Sequence, residues 1–99
     1  MRLSQLKQFR QSLQQIAQRH GVKRIFVFGS VARGGVAEPN DVDFLIEMEE
    51  DASALGIGGF QFEAQSLLGT RVDVVPTFAL PRVTDKHFIE TIELEALPL

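Results

Sequence analysis

Two aspartates separated by one residue are the feature of this sequence best suited to chemistry. Asp41 and Asp43 lie at the start of a stretch, 42–47, whose alternating residues predict a β-strand. Residues two apart in a strand lie ~6.5–7 Å apart and point to the same side. Two carboxylates at that distance repel by ~2 kcal/mol at an effective dielectric constant near 20. Because a hard divalent cation reverses the sign of that interaction, the pair predicts a Mg²⁺ site with positions left open for phosphate oxygens.

A third carboxylate is a candidate for the same site. Asp73 is the one charged residue in the apolar stretch 72–75, which predicts a strand able to lie beside the first. Three converging carboxylates suit two-metal phosphoryl transfer, and the third can also orient or deprotonate the attacking group. Taken alone, each aspartate also fits a solvated strand end or an exposed edge strand.

A glycine turn follows the apolar stretch 25–28, which predicts another buried strand. At Gly29 the missing side chain lets the backbone approach a phosphate, and the Ser30 hydroxyl can donate to its oxygens. Arg33, in the next turn, is a candidate for binding a triphosphate. Taken alone, Gly29-Ser30 is typical of an ordinary turn and Arg33 of a surface arginine. Their combination in this order along the chain is what favours a site.

The elements that must position these residues form a small α/β pattern. An amphipathic helix is predicted before Gly21, a second helix from Phe60 to a stop at Gly69, and a last helix capped by Asp85. The acidic and glycine-rich stretch 47–59 predicts a solvated loop, and 77–80 a turn broken by Pro81. We expect a mixed sheet of about three or four strands with helices covering it, because each strand is more apolar than a one-sided sheet requires.

Composition limits the function classes. With 99 residues we expect one domain over 1–99, and 44% hydrophobic and 23% charged residues indicate a folded, soluble chain. No apolar run reaches the ~18–20 residues of a membrane span, so we expect the cytoplasm. The absence of cysteine excludes thiolate zinc sites, and His20 and His87 lack a partner at ligand spacing. A net charge of -3 argues against direct nucleic-acid binding, and the eight phenylalanines predict core packing.

The spacing of these residues resembles a known signature. Gly29-Ser30, ten intervening residues and then Asp41-Val42-Asp43 is similar to the motif of the minimal nucleotidyltransferases, small members of the DNA polymerase beta superfamily. The resemblance implies a mixed sheet flanked by helices, Mg²⁺ at the two aspartates with Asp73 completing the site, and nucleotide phosphates at Gly29 and Ser30. Small members are similar to antitoxins that pair with helical HEPN-domain toxins, and some transfer AMP from ATP to a toxin tyrosine.

Two residues depart from the family pattern, and three functions follow from the sequence. Asn40 stands where a serine often precedes the first aspartate, and Val31 where a basic or aromatic residue is common. The leading hypothesis is a nucleotidyltransferase acting on a protein, since in a chain this short we expect no second domain that would bind a small acceptor. One alternative is a binding module that neutralises a partner by masking it. Another is the catalytic subunit of a split small-molecule enzyme, and the sequence leaves a homo- or hetero-oligomer open.

Overall fold

The computed structural model describes residues 1–34, 42–82 and 84–99. The helices are α1 (Leu3–Gln8), α2 (Arg10–Arg19), α3 (Gly29–Ala32), α4 (Leu55–Leu68) and α5 (Lys86–Glu95), with a 3-10 helix over Thr77–Arg82. The strands are β1 (Val22–Phe28), β2 (Val42–Met48), β3 (Val72–Pro76) and β4 (Leu97–Pro98). No helix in these three segments is both long and apolar enough to cross a membrane.

The strands of the described segments form one mixed sheet in the order β3-β2-β1-β4. Strand β1 runs antiparallel to both β2 and β4, whereas β2 and β3 are parallel. The mixed sheet with helices confirms the predicted fold class, and the strands predicted at 25–28, 42–47 and 72–75 are all present. Strand β4 was not predicted, because two residues carry no periodicity and the strand exists only by pairing with Phe26 and Val27 of β1.

Helices cover the two faces of the sheet unequally. On the face that we call the main face, α1, α2 and α4 pack against alternate strand residues such as Val42, Phe44 and Ile46, all fully buried. On the opposite face, the minor face, the buried residues are Phe28, Leu45 and Ile92, the last of these from α5. Because strand side chains alternate, Asp43 and Asp73 project from the minor face.

The N-terminal helix is interrupted where the sequence predicts a continuous one. Helix α1 ends at Gln8 and α2 begins at Arg10, with Phe9 between them at φ -94° and ψ 5°. Neither glycine nor proline marks the break, so no local signal predicts it. Leu6 and Leu13, on either side, are both fully buried against the sheet.

The loop predicted over 47–59 is wrong in its last part, because α4 begins at Leu55. A Cβ on Gly56 would overlap the backbone carbonyl of His20, and a Cβ on Gly59 would overlap its imidazole ring. Glycine is therefore required here for close packing of a helix, which outweighs its low helix propensity. The stop at Gly69 is confirmed by its left-handed φ of 67°.

Between β3 and the end of α5, the chain follows its predicted signals except at Pro81. The 3-10 helix continues through Pro81 to Arg82, since proline removes only an N–H and fits a short helical turn. Asp85 caps α5 as predicted, because its Oδ1 accepts the backbone N–H groups of His87 at 3.0 Å and Phe88 at 3.2 Å.

Candidate active site

Two of the three predicted carboxylates lie side by side. In the parallel pairing of β2 and β3, Asp43 is in register with Asp73, and paired residues of neighbouring strands point to the same face. Strand spacing places the two backbones about 5 Å apart, and two carboxylates at that separation would repel by about 3 kcal/mol at an effective dielectric constant of 20. Hard oxygen donors in this arrangement fit a divalent cation such as Mg²⁺.

Asp41 lies outside the described residues, as does Asn40. The third member of the predicted Mg²⁺ site therefore stays a prediction from the sequence. Its basis is the alternation of strand residues, which the described part of β2 follows: Val42 and Phe44 are buried on the main face and Asp43 is half-buried on the minor face.

The glycine turn adjoins these carboxylates. Asp43 pairs with Phe28 across β1 and β2, and Gly29 follows at φ 77°. A Cβ built on Gly29 would lie 3.2 Å from Asp43 Cγ and would overlap Oδ2. Glycine is therefore required at this position twice over, for a left-handed backbone and for the space that the carboxylate occupies. The turn predicted from the sequence and the aspartate are thus in direct contact.

The two residues after Gly29 have different environments. Ser30 is half-buried within α3, beside the glycine turn. Val31 is 1% exposed and packs in the core of the main face, so this departure from the family pattern serves packing.

Arg33, the predicted triphosphate ligand, lies immediately after α3 and is about half exposed. Its Nη1 donates to Glu95 Oε2 of α5 at 2.8 Å. Sequence analysis missed Glu95, because an ion pair between residues 62 positions apart leaves no local pattern.

Strand β3 is fixed by side chains of α4. Gln61 Nε2 donates to the carbonyl of Val72 at 2.8 Å, and the N–H of Val72 donates to Gln65 Oε1 at 3.1 Å. These bonds hold the backbone of the edge strand immediately before Asp73. Sequence analysis did not identify the two glutamines, although their i, i+4 spacing places them on one side of a helix.

Arg71 also lies near the carboxylates. Its Nη2 is 3.5 Å from Asp73 Oδ1, in an exposed pair that contributes little energy. Arg71 lies two residues before Asp73, so its guanidinium adds positive charge at the edge of the site.

A second charged cluster lies away from these carboxylates, where α2 meets α4. Glu63 accepts from Arg19 Nη2 at 2.6 Å and also contacts His20 Nε2. The hydrogen bond from Arg19, and then that from His20, lower the pKa of the Glu63 carboxyl below its usual range. His20 thus has a structural partner. His87 is an exposed residue at the start of α5.

The model of the nucleotidyltransferase domain family matches residues 6–99, nearly the whole chain. The chain belongs to this family. A Methanocaldococcus jannaschii protein named as a candidate protein adenylyltransferase is 35% identical over 77 residues, which are 77% of this chain and 83% of that protein. Protein adenylyltransferase MntA of Thermococcus cleftensis is 43% identical over 61 residues, 62% of each chain. Family membership and these relatives establish the chain as a nucleotidyltransferase.

Solved structures agree with the family assignment. A structure described as a candidate minimal nucleotidyltransferase superimposes with a TM-score of 0.78 at 36% identity, covering 100% of this chain and 97% of the other. A solved complex of a tri-AMPylated Shewanella oneidensis HEPN toxin with an MNT antitoxin gives a TM-score of 0.59 at 13% identity, covering 89% of this chain and 66% of the other. The second similarity shows the fold alone. The resemblance to minimal nucleotidyltransferases is confirmed.

Proposed function

We propose that this nucleotidyltransferase is a single-domain, Mg²⁺-dependent protein adenylyltransferase. It moves AMP from ATP to a hydroxyl of a helical HEPN-type partner and acts as the antitoxin of that partner. The observation that carries the proposal is the register pairing of Asp43 with Asp73 beside the Gly29 turn. The names of the relatives support AMP as the transferred group, and the structural neighbour supports a HEPN protein as the acceptor.

The residues present fit a divalent cation and a triphosphate. Asp41, Asp43 and Asp73 would hold Mg²⁺, which when bound supplies positive charge to phosphate oxygens. The Gly29 backbone and the Ser30 hydroxyl would bind the phosphates, because the glycine turn lies directly against the Asp43 carboxylate and so next to the proposed cation. Arg33 would add a cationic donor from the C-terminal end of α3.

The proposed reaction is a substitution at the α-phosphorus of ATP. The hydroxyl oxygen of the partner forms a bond to this phosphorus, and the bond to the bridging oxygen of pyrophosphate breaks. Asp73, about 41% exposed, would accept the hydroxyl proton, while pyrophosphate leaves with the broken bond's electron pair. The exposure of Asp73 suits this role, because a protein acceptor must reach it from outside.

The test compares the fate of two labels on ATP. The chain and the protein encoded by the adjacent reading frame are incubated with Mg²⁺ and ATP labelled at either the α- or the γ-phosphate. We expect the partner to be labelled from the α-phosphate only, and removal of Mg²⁺ by a chelator to abolish labelling. Label from the γ-phosphate would indicate phosphoryl transfer and contradict the proposal.

Substitutions of the aspartates test whether their carboxylates are needed for transfer. We expect Asp43→Asn to reduce transfer by about 100-fold or more, since the charge that the reaction needs is lost. Asp51→Asn, which removes the same charge from an exposed position beyond the far end of β2, is the matched control. Label that persists in Asp41→Asn plus Asp43→Asn would refute the assignment. If this double variant neutralises the partner as well as the wild type does, the masking hypothesis replaces the enzymatic one.

A further inference from the structure

Glu95 is the last residue on the side of α5 that faces the sheet. Phe88 and Ile92 lie on this side, and Phe88 packs edge-on against Phe28 with ring centroids 6.3 Å apart. Glu95 follows Phe88 by seven residues, two helical turns, and its side chain is only 25% exposed. Helix α5 therefore carries a carboxylate toward the face of the sheet that holds Asp43 and Asp73.

The position of Glu95 is electrostatically unfavourable by itself. It is the last residue of α5, and the last turn contains no basic residue. A negative charge at a helix C-terminus costs about 0.3–1 kcal/mol, because the unpaired carbonyl groups there are also negative. The guanidinium of Arg33 offsets this cost at 2.8 Å. The two side chains thus depend on each other across the junction between α3 and α5.

The contact leaves most of the guanidinium available. Arg33 has five N–H donors, and its hydrogen bond to Glu95 within the described residues uses Nη1. The guanidinium is planar, so a hydrogen bond at one nitrogen limits the directions in which its other donors point and leaves them available to phosphate oxygens. Arg33 follows Ser30 by three residues, about one helical turn, so its backbone lies close to the glycine turn.

We propose that Glu95 is a positioning residue for nucleotide binding, which orients Arg33 toward the phosphates of the donor. The inference rests on the proposed function and adds to it a residue outside the family motif. Arg33 binds phosphates that are charged before and during the reaction, so loss of its orientation weakens binding in both states. The result is a higher KM for ATP with little change in kcat.

The main experiment compares Glu95→Gln with Glu93→Gln. Both substitutions remove one negative charge from the last turns of α5, but Glu93 is exposed and has no ion pair among the described residues. For Glu95→Gln we expect the KM for ATP, and the Kd for AMP-PNP in Mg²⁺ by calorimetry, to rise about fivefold, which is what a partly exposed ion pair can contribute. We expect kcat to stay within about twofold, and Glu93→Gln to match the wild type.

A double-variant comparison tests whether Glu95 acts through Arg33. In an Arg33→Ala background, Glu95→Gln should have no further effect on KM, because the side chain it orients is gone. A structural role would instead give the same loss in both backgrounds, and thermal melts of all variants report any common loss of folding.

The outcomes separate the two proposals. Absence of AMP transfer by the wild type overturns the proposed function and the role of Glu95 with it. An active wild type with equal KM for Glu95→Gln and Glu93→Gln overturns the role of Glu95 alone. A lowered KM also overturns it, since Glu95 would then compete with the nucleotide for Arg33.

Discussion

The two faces of the sheet differ in how completely they are covered. Within the described segments, the core of the main face contains fifteen buried side chains, and that of the minor face contains three, Phe28, Leu45 and Ile92. Buried apolar area is the main source of stability, so the main face holds the fold together. The thin cover of the minor face leaves Asp43 and Asp73 half-buried and within reach of solvent.

The comparison shows how a small domain can place carboxylates together. A pair of negative charges in the main core would have to lose its hydration, at a cost of several kcal/mol per ion. On the minor face the same strands, β2 and β3, present the charges to water while their other side is anchored by Val42, Phe44 and Val72. One strand can thus supply both the core and the site because its side chains alternate.

The largest effect is expected from truncating neighbouring residues of β2 on opposite faces. Ile46 is fully buried on the main face, and Leu45 is 7% exposed on the minor face. We expect Ile46→Ala to reduce the free energy of unfolding by about 4 kcal/mol and Leu45→Ala by about 2 kcal/mol, because a thinly covered site collapses more readily around a cavity. Urea unfolding of the two variants measures the difference. Equal losses would show that the two faces contribute alike and would remove the basis of the comparison.

A smaller effect, on activity, is expected at the edge of the minor face. Gly29→Ala places a Cβ against the Asp43 carboxylate, so we expect AMP transfer to fall about 10- to 100-fold. Gly69→Ala is the control, since Gly69 has a similar φ of 67° but no atom within 4 Å of the added Cβ. Both variants should lose about 1 kcal/mol of stability from backbone strain. Equal activities would mean that the position of the Asp43 carboxylate does not matter for transfer.

The smallest effect concerns the rim of the main face, where Glu63 joins α4 to Arg19 and His20. The lowered pKa of Glu63 means that the folded state favours its charged form. Its contribution to stability is therefore present above the usual pKa of a glutamate and is lost as the pH falls through the lowered value. We expect Glu63→Gln to lower the urea midpoint slightly near neutral pH and not in strong acid.

Glu90→Gln provides the comparison for this prediction, because Glu90 is exposed on α5 and has no ion pair among the described residues. It should leave the urea midpoint unchanged at both pH values. A loss in Glu63→Gln that persists in strong acid would point to packing rather than charge as the role of Glu63.

The sequence by itself determined the local features of this protein. Alternation at 42–47 predicted a strand with its aspartates on one side, and the described part of that strand confirms the placement of Asp43. The stop at Gly69 and the cap at Asp85 were also predictable, because each depends on backbone groups only a few residues away. The family motif depends on the same short-range order, so the sequence alone carries it.

The tertiary structure alone decided how distant segments meet. The register that aligns Asp43 with Asp73, the pairing that creates β4, and the ion pair of Arg33 with Glu95 all join residues at least 30 positions apart. The helical start of α4 also depended on a distant residue, since Gly56 and Gly59 are needed for packing on His20. Periodicity and capping report a residue's neighbours along the chain, whereas these features depend on neighbours in space, which only the packing of the whole sheet selects.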